Sequence, residues 1–428
     1  MYVCGPTVYD VPHLGHGRFV LVFDVLRRYL EWSGHRVEYV SNVTDIDDQI
    51  IKRANEQGRS PTDVALQYEE VWWDAIDRLG VGRPTHDPHA TAYVEQMVEL
   101  VAGLVAAGKA YETSDGVYLS VDTVPGYGLL ARQPLDTLRA GARVEVAEEK
   151  RSPLDFVLWK KAKPGEPAWP SPWGVGRPGW HTECVVMSLD LLGDGFDLHG
   201  GGQDLAFPHH ENERAQAVAS GHEFARHWTH NGFVEVAGEK MSKSLGNFTS
   251  LVDLLDTADA RAYRLLVLGS HYRAPVEVTG ETVASAGSAL SRLDDFARRT
   301  ADLPGAAPDA AALESFRRHM DDDLDTPAVV AQMFDLVRAT NTAMDSGDHQ
   351  RAASAAAAVR AIAGAVGLPL AADGDEVDAS TSDLMARRDT ARAARDFAAA
   401  DALRSELEAS GWVVEDTAAG TRVHRRHR

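Results

Sequence analysis

Cysteine is scarce in this sequence, which contains only Cys4 and Cys184 among its 428 residues. Two cysteines cannot build a disulfide framework, so they are either inert core thiols or ligands in a protein of a reducing compartment. Long apolar runs are also missing. None reaches the roughly 18 residues that cross a bilayer, and the start, MYVCGPTVYD, lacks the basic and apolar regions of a secretion signal. These absences argue against a membrane protein and a secreted protein.

Positive charge is in short supply as well. The sequence has 43 Lys and Arg against 64 Asp and Glu, and its formal net charge of −21 argues against nonspecific binding to a polyanion. A nucleic acid would have to contact a local basic patch. The C-terminal stretch supplies a candidate patch, which consists of Arg387, Arg388, Arg392, Arg395, Arg404, Arg422, Arg425, Arg426 and Arg428. A solvated helix face followed by a basic tail explains the same residues, and both interpretations stay open.

The composition is otherwise that of a folded globular chain, with 44% hydrophobic and 25% charged residues, and the length predicts about three domains. Residues 1–48 follow the pattern strand, loop, helix, strand, which predicts a βαβ unit. Its loop lies at the carboxyl end of the first strand, where doubly wound sheets bind ligands. A Pro/Gly/Trp-rich stretch within 96–177 predicts an insertion. Residues 286–366 are helical and Ala-rich, and one long helix is predicted from Ser382 to Ser410.

Two short motifs carry charge chemistry. HLGH, from His13 to His16, lies where a glycine-bearing loop enters a helix, and a helix N-terminus with two imidazoles can bind an anion. KMSKS places Lys240 and Lys243 beside small hydroxyl residues, which suits a polyphosphate. Each motif alone is also typical of a solvent-exposed loop. Together, at the two ends of an α/β domain, they indicate phosphoryl chemistry.

On these motifs the sequence resembles the class I aminoacyl-tRNA synthetases, and closely the cysteinyl-tRNA synthetase family. The blocks MYVCGPTVYD, HLGHGR, RPGWHTECVVMS, DLHGGGQDLAFPHHENERAQ and KMSKSLGN are similar to blocks of that family and occur in its order over nearly the whole chain. The family usually has a further segment before the first strand. We therefore expect that an edge element is missing or that the start codon is misplaced.

The resemblance implies an α/β fold with a Rossmann-type, doubly wound parallel sheet as the catalytic domain. An inserted connective subdomain, a helical bundle and a small C-terminal domain complete the expected architecture. The expected boundaries are 1–95 and 178–238 for the two halves of the catalytic domain, 96–177 for the insertion, 239–285 for the KMSKS loop with a connecting subdomain, 286–370 for an anticodon-binding-type bundle, and 371–428 for a C-terminal tRNA-binding subdomain.

The resemblance also implies one zinc ion per chain. Cys4, Cys184, His209 and Glu213 match the zinc ligands of the family. His209 and Glu213 are four residues apart in a helical pattern and therefore share one face. Without the family, core cysteines and a helix-surface HHE stretch explain these residues better than a metal site does, because ligands so far apart in sequence form no readable motif.

Contacts to the substrate follow from the same resemblance. Thr44 and Asp204 match positions that contact the substrate amine, Trp180 matches one that lines the amino-acid pocket, and His199 lies near the zinc. A capping role in a turn is an equal alternative for Asp204, which follows a Gly-rich strand end.

The expected function is ATP-dependent activation of L-cysteine and transfer to the 3′ end of tRNA(Cys). His13 and His16 would stabilise the phosphoryl transition state, Lys240 and Lys243 would bind the pyrophosphate, and Mg²⁺ would accompany ATP. Zinc would select the thiolate over the serine hydroxyl, so no editing domain is needed. We expect a cytoplasmic monomer that does not bind membranes. A cysteine ligase of the mycothiol type, a catalytically silent relative and a zinc hydrolase are the alternatives.

Overall fold

A computed structural model of the chain describes residues 1–131, 149–236, 239–240, 250–371, 378–417 and 420–425. The chain divides into two units. The first unit comprises Met1–Leu255 with Ser270–Val278, and the second comprises Asp256–Gly269 with Thr279–Arg428. Among the described residues, no helix combines the length and the apolar character needed to cross a membrane.

A four-stranded parallel sheet forms the centre of the first unit. Its order is β2, β1, β7, β8, and the strands are β1 (Tyr2–Val3), β2 (Val40–Ser41), β7 (Leu198–Gly202) and β8 (His227–Asn231). Tyr2 pairs with Val40 on one side and with His199 on the other, so β1 is a central strand. Both residues of β1 are buried, as expected for a parallel strand covered on both faces. The βαβ unit predicted over residues 1–48 is confirmed.

Helices flank this sheet. Among the described residues of the first unit, the α-helices are Leu14–Trp32, Asp48–Gln57, Pro61–Arg78, Val94–Ala106, Trp180–Leu192, Glu211–Ala219 and Leu251–Thr257, the last of which ends in the second unit. Buried apolar side chains recur along Leu14–Trp32 at helical spacing, including Phe19, Phe23 and Leu26. This helix connects β1 to β2 and carries the HLGH motif at its start.

A second, antiparallel sheet lies within the stretch expected to be an insertion. Its order is β3, β4, β5, β6, and the strands are β3 (Ala110–Glu112), β4 (Gly116–Leu119), β5 (Phe156–Lys161) and β6 (Gly176–Pro178). Val117, Leu158 and Trp159 are fully buried in its core. The last strand, β6, ends at Pro178, two residues before the helix Trp180–Leu192 begins. That helix leads into β7 of the parallel sheet.

A small mixed sheet leads to the KMSKS sequence. Strand β9 (Val234–Val236) pairs antiparallel with β10 (Glu239–Lys240) and parallel with β11 (Val276–Glu277). Lys240, the first residue of KMSKS, thus has a described backbone position. The rest of the motif, including Lys243, lies outside the described residues.

The second unit is helical before its C-terminal part. Its helices there are Ala260–Leu268, Gly280–Arg299, Ala310–Asp321, Thr326–Asp345 and His349–Ala365. Small side chains such as Ala356 let the last helix approach Phe296 closely. Arg261 donates to both carboxylate oxygens of the buried Asp294, at 3.0 Å each, which ties the first two helices together.

The C-terminal part has two helices where one was predicted. The helices are Ala379–Ala393 and Phe397–Ala409, followed by a hairpin of β12 (Trp412–Thr417) and β13 (Gly420–Arg425). The single helix from Ser382 to Ser410 is therefore wrong. Arg395 adopts a left-handed conformation with φ of 57°, and the Asp396 side chain caps the second helix at the Ala399 N–H.

Candidate functional site

The donor cluster combines four residues that the sequence separates widely. Cys4 follows the central strand β1, Cys184 lies on Trp180–Leu192, and Glu213 lies on Glu211–Ala219, one turn after His209. One donor atom from each of the four lies within 4.8 Å of every other, and all four residues are buried. The structure thus brings together every residue expected to bind zinc.

The distances within this cluster fit a tetrahedral metal site. The two sulfurs are 3.6 Å apart, Cys184 Sγ is 3.6 Å from His209 Nε2, and Cys4 Sγ is 3.3 Å from Glu213 Oε1. A disulfide would require about 2.0 Å between the sulfurs. Zinc–sulfur bonds of about 2.3 Å in a tetrahedron place two thiolates about 3.8 Å apart. The donors therefore suit zinc in type and in spacing.

The pKa shifts within the cluster favour a Cys184 thiolate beside a protonated His209. Burial disfavours the Cys184 thiolate, but hydrogen bonds with Cys4 and His209 lower the pKa of Cys184 to about 6. Burial likewise opposes protonation of His209, yet Glu213 and Cys184 raise its pKa to about 10. Burial, together with neighbouring Cys184, raises the pKa of Cys4 well above its ordinary value. A divalent cation would replace the protons of Cys4 and His209.

Further histidines and a tryptophan surround the donors. His199 lies on β7, and its Nε2 is 2.6 Å from Glu213 Oε2, which leaves the other carboxylate oxygen beside Cys4 and His209. The Trp180 ring stacks on His209 with ring centroids 4.0 Å apart. An alternative donor set consists of Cys4, His199, His210 and Glu213, and it shares two residues with the first.

A cavity of about 370 Å³ joins the cluster to the HLGH motif. Its lining includes Cys4, His13, His16, Trp180 and Asp204. Asp204 is exposed in the cavity and lies inside the short 3-10 turn Gln203–Leu205, which begins after Gly202, so Asp204 does not cap that turn.

The two histidines of HLGH hold each other in one arrangement. The backbone N–H of His16 donates to His13 Nδ1, and the N–H of His13 donates to His16 Nδ1, at 3.2 Å each. Their rings stack with centroids 3.7 Å apart. Since each Nδ1 accepts a hydrogen bond, the neutral form of each ring carries its proton on Nε2. This end of the cavity thus offers imidazole N–H donors beside a helix N-terminus, which suits an anion.

Five predicted site residues with described side chains do not line the cavity: Cys184, His209 and Glu213 of the donor cluster, and the expected substrate contacts Thr44 and His199. Thr44 is buried, and its hydroxyl donates to Glu183 Oε2 at 3.0 Å. His199 is fully buried. Neither belongs to the described residues that line the cavity. Of the two lysines, Lys240 has only its backbone described, and Lys243 lies outside the described residues.

Sequence analysis missed several buried polar residues near the cluster. Burial, together with the Cys184 thiolate, raises the pKa of Glu183 well above its ordinary value. The Nδ1 atoms of His181 and His209 are 2.8 Å apart, and His210 Nδ1 is 2.8 Å from His230 Nε2. The dense polar strings WHTEC and PHHENE were the available signal, because polar residues in an otherwise buried helix need partners.

Comparisons with known proteins agree with this architecture. Residues 1–288 match the family model of the class I (C) tRNA synthetase catalytic domain, residues 315–371 match the DALR domain, and residues 374–426 match the cysteinyl-tRNA ligase anticodon binding domain. The solved methionyl-tRNA synthetase of Mycobacterium tuberculosis with methionyl-adenylate superimposes with a TM-score of 0.62 and 17% identity, covering 85% of this chain and 89% of that one. The fold is that of a class I aminoacyl-tRNA synthetase, and the predicted α/β fold is confirmed.

Relatives with higher sequence identity show which family of class I synthetases the chain belongs to. The cysteine–tRNA ligase of Halorhodospira halophila is 49% identical over 99% of this chain and 94% of its own length. The corresponding ligase of Klebsiella pneumoniae is 45% identical over 100% of this chain and 95% of its own. This chain belongs to the cysteinyl-tRNA synthetase family.

Proposed function

We propose that this chain activates L-cysteine with ATP, transfers it to the 3′ end of tRNA(Cys), and selects cysteine through zinc held by Cys4, Cys184, His209 and Glu213. One observation carries the proposal: Cys4 of the donor cluster and His13 and His16 of HLGH line the same cavity. A thiol-binding group and an anion-binding group therefore open onto one space. This is the arrangement that joining cysteine to a nucleotide requires.

At the nucleotide end, the cysteine carboxylate attacks the α-phosphate of ATP and pyrophosphate leaves. His13 and His16 donate from Nε2 to the phosphoryl oxygens as charge develops there, since their Nδ1 atoms are occupied by backbone N–H groups. Lys240 and Lys243 neutralise the pyrophosphate, and Mg²⁺ accompanies ATP. The terminal ribose hydroxyl of the tRNA then attacks the adenylate carbonyl and releases AMP.

At the amino-acid end, zinc held by the four residues of the donor cluster would supply a borderline-soft Lewis acid, which favours a substrate thiolate over a serine hydroxyl as an added ligand. His199 orients Glu213 by holding its Oε2 at 2.6 Å, and Trp180 covers His209. Asp204, at the cavity wall, binds the substrate ammonium. Thr44 is proposed to contact the same amine: its hydroxyl oxygen would accept a hydrogen bond from the ammonium and keep donating to Glu183.

The test is cysteine-dependent ATP–pyrophosphate exchange followed by a tRNA-charging assay. We expect both activities with cysteine and neither with serine. Exchange without charging would instead support a ligase of the mycothiol type, which transfers cysteine to an amino sugar. A protein that binds zinc and tRNA but lacks both activities would be a silent relative.

The domain assignments follow from the same proposal. Residues 1–95 and 178–238 form the activating domain around the insertion 96–177, residues 239–285 connect it to the bundle 286–370, and residues 371–428 bind tRNA. We further propose that the protein works as a monomer in the cytoplasm, where its tRNA substrate is found. Light scattering coupled to size exclusion tests the monomer.

A further inference from the structure

Arg18 is a buried arginine that the mechanism above does not use. It is the fifth residue of the helix Leu14–Trp32, two residues after His16, and it is 0% exposed. Its Nη1 donates to the Phe233 carbonyl at 2.6 Å, and its Nη2 contacts the carbonyls of His271 at 3.3 Å, Tyr272 at 3.2 Å and Ala274. One planar guanidinium thus holds backbone from two separate segments.

The first segment held by Arg18 forms a wall of the cavity. Asn231, Gly232, Phe233 and Val234 all line the cavity. The carbonyl of Phe233, which Arg18 contacts, also accepts the N–H of Val276 at 3.0 Å. We call the residues Asn231 to Val234 the wall segment.

The wall segment has little room to shift. The N–H of Gly232 donates to the Tyr272 carbonyl at 2.7 Å, and a Cβ at Gly232 would lie 2.5 Å from the Ala274 carbonyl oxygen. A side chain there would force the two backbones apart. The guanidinium of Arg18 and the absence of a side chain at Gly232 therefore both keep the wall segment close to the backbone of residues 272–274. We call this contact between the two backbones the junction.

The wall segment also leads to the KMSKS sequence. It runs into β9, and β9 pairs with β10, where Lys240 lies opposite Glu235. The backbone of Lys240 is thus one strand away from residues that Arg18 holds. At its other end, Arg18 is on the helix that carries His13 and His16.

We propose that Arg18 is a positioning residue for adenylate formation, which joins the HLGH helix to the wall segment and, through β9, to Lys240. This inference rests on the proposed function. Arg18 does not touch the reacting atoms in this account. It keeps the two phosphate-binding groups at one separation, and small displacements of such groups cost rate steeply.

The test is Arg18→Lys, which keeps the charge but cannot reach the four carbonyls of both segments at once. In pyrophosphate exchange, we expect kcat/KM for ATP to fall about tenfold to hundredfold. The KM for cysteine and the zinc content should stay close to wild type, because the carbonyls that Arg18 holds belong to no donor residue. A merely structural role would also raise the KM for cysteine and lower the zinc content.

Arg264→Lys is the matched control, since Arg264 is also a buried helical arginine that donates to a carbonyl, that of Val366. We expect it to lower the melting temperature while kcat/KM for ATP stays close to wild type. An Arg18→Lys protein overturns the proposal if its kcat/KM for ATP stays within about twofold of wild type, or if its KM for cysteine rises or its zinc content falls together with the loss in kcat/KM for ATP.

If Arg18→Lys does not fold, Gly232→Ala decides, because it disturbs the same junction and leaves the arginine in place. It should show the same loss of kcat/KM for ATP with an unchanged KM for cysteine, and a rise in the KM for cysteine of the same size overturns the proposal. The two levels of failure are distinguishable. Absence of exchange in the wild-type protein refutes the proposed function, whereas normal exchange in the wild type with an unaffected variant refutes only the role of Arg18.

Discussion

At the scale of single residues, the donor cluster depends on side chains that hold one another in place. Cys4 and Cys184 approach to 3.6 Å with no covalent bond between them, and His209 Nε2 lies 2.9 Å from Glu213 Oε1. Four buried donors of this kind would be costly to keep together without a positive charge between them. A divalent cation bound by the four donors would remove this cost.

Replacement of Cys184 by serine tests the metal assignment. Purified wild-type protein should contain about one zinc per chain, and Cys184→Ser should lose most of it because a hydroxyl is a poor zinc ligand. Ser188→Ala is the control, since Ser188 is buried one turn further along the same helix. Elemental analysis of the dialysed proteins measures the zinc content per chain. Full zinc content in both Cys184→Ser and Cys4→Ser would refute the assignment.

His199 should act on the metal through Glu213. His199→Asn removes the group that holds Glu213 Oε2, so zinc affinity should fall about 10- to 100-fold while the site still fills at high zinc. Competition with a chelator measures the affinity. His222→Asn is the control, because His222 pairs with the exposed Asp194 at 2.8 Å. Equal affinities in the two variants would show that His199 has no influence on the metal.

At the scale of helices and strands, local patterns were predictable and tertiary neighbours were not. The βαβ unit was readable because its strand, loop and helix signals are contiguous. The break at Arg395 was missed because helical periodicity runs across it, and the capping role of Asp396 was the one available signal. The donor cluster could be reached only through the family resemblance, because Cys4 and Cys184 meet by strand pairing and helix packing over a separation that leaves no local pattern.

The left-handed residue between the two C-terminal helices gives an element-level prediction. Arg395→Gly should stabilise this region by about 0.5 kcal/mol, because glycine adopts a φ of 57° without the steric cost of a Cβ. The same change inside a helix, Arg387→Gly, should destabilise it by about 1 kcal/mol. Hydrogen exchange of amides in Ala379–Ala393 and Phe397–Ala409 measures both. Destabilisation by Arg395→Gly would contradict this explanation of the break.

At the scale of the whole molecule, an acidic chain has to bind a polyanion. The structure changes the candidate patch in one respect: Arg388 is 3% exposed, and it donates to Asp416 at 2.8 Å and to Thr421 at 2.6 Å. It is therefore an internal residue and cannot contact phosphate, so its inclusion was wrong. Arg387 pairs with Asp383 and Arg404 with Glu408, whereas Arg395 is exposed. The side chains of Arg422 and Arg425, and all of Arg426 and Arg428, lie outside the described residues.

Removal of the C-terminal part should separate charging from activation. Leu407, Trp412, Val414 and Val423 form a core of their own, so a chain that ends at residue 371 keeps the other cores. We expect near-normal pyrophosphate exchange, weak tRNA charging and a flatter dependence of tRNA affinity on salt, because phosphate contacts are lost. Exchange, charging and tRNA affinity of the shortened and full-length chains, measured at two salt concentrations, test this expectation. Equal losses of both activities, with an unchanged salt dependence, would show that this part does not bind tRNA.

The central claim is that a metal held by the donor cluster binds the substrate thiolate. Cobalt(II) substituted for zinc makes this visible, because each thiolate ligand adds a sulfur-to-cobalt charge-transfer band. Titration of the cobalt protein with cysteine should increase this absorption, and titration with serine should not. If cysteine binds, as shown by calorimetry on the same sample, and the spectrum stays unchanged, the metal does not contact the thiolate and the account is wrong.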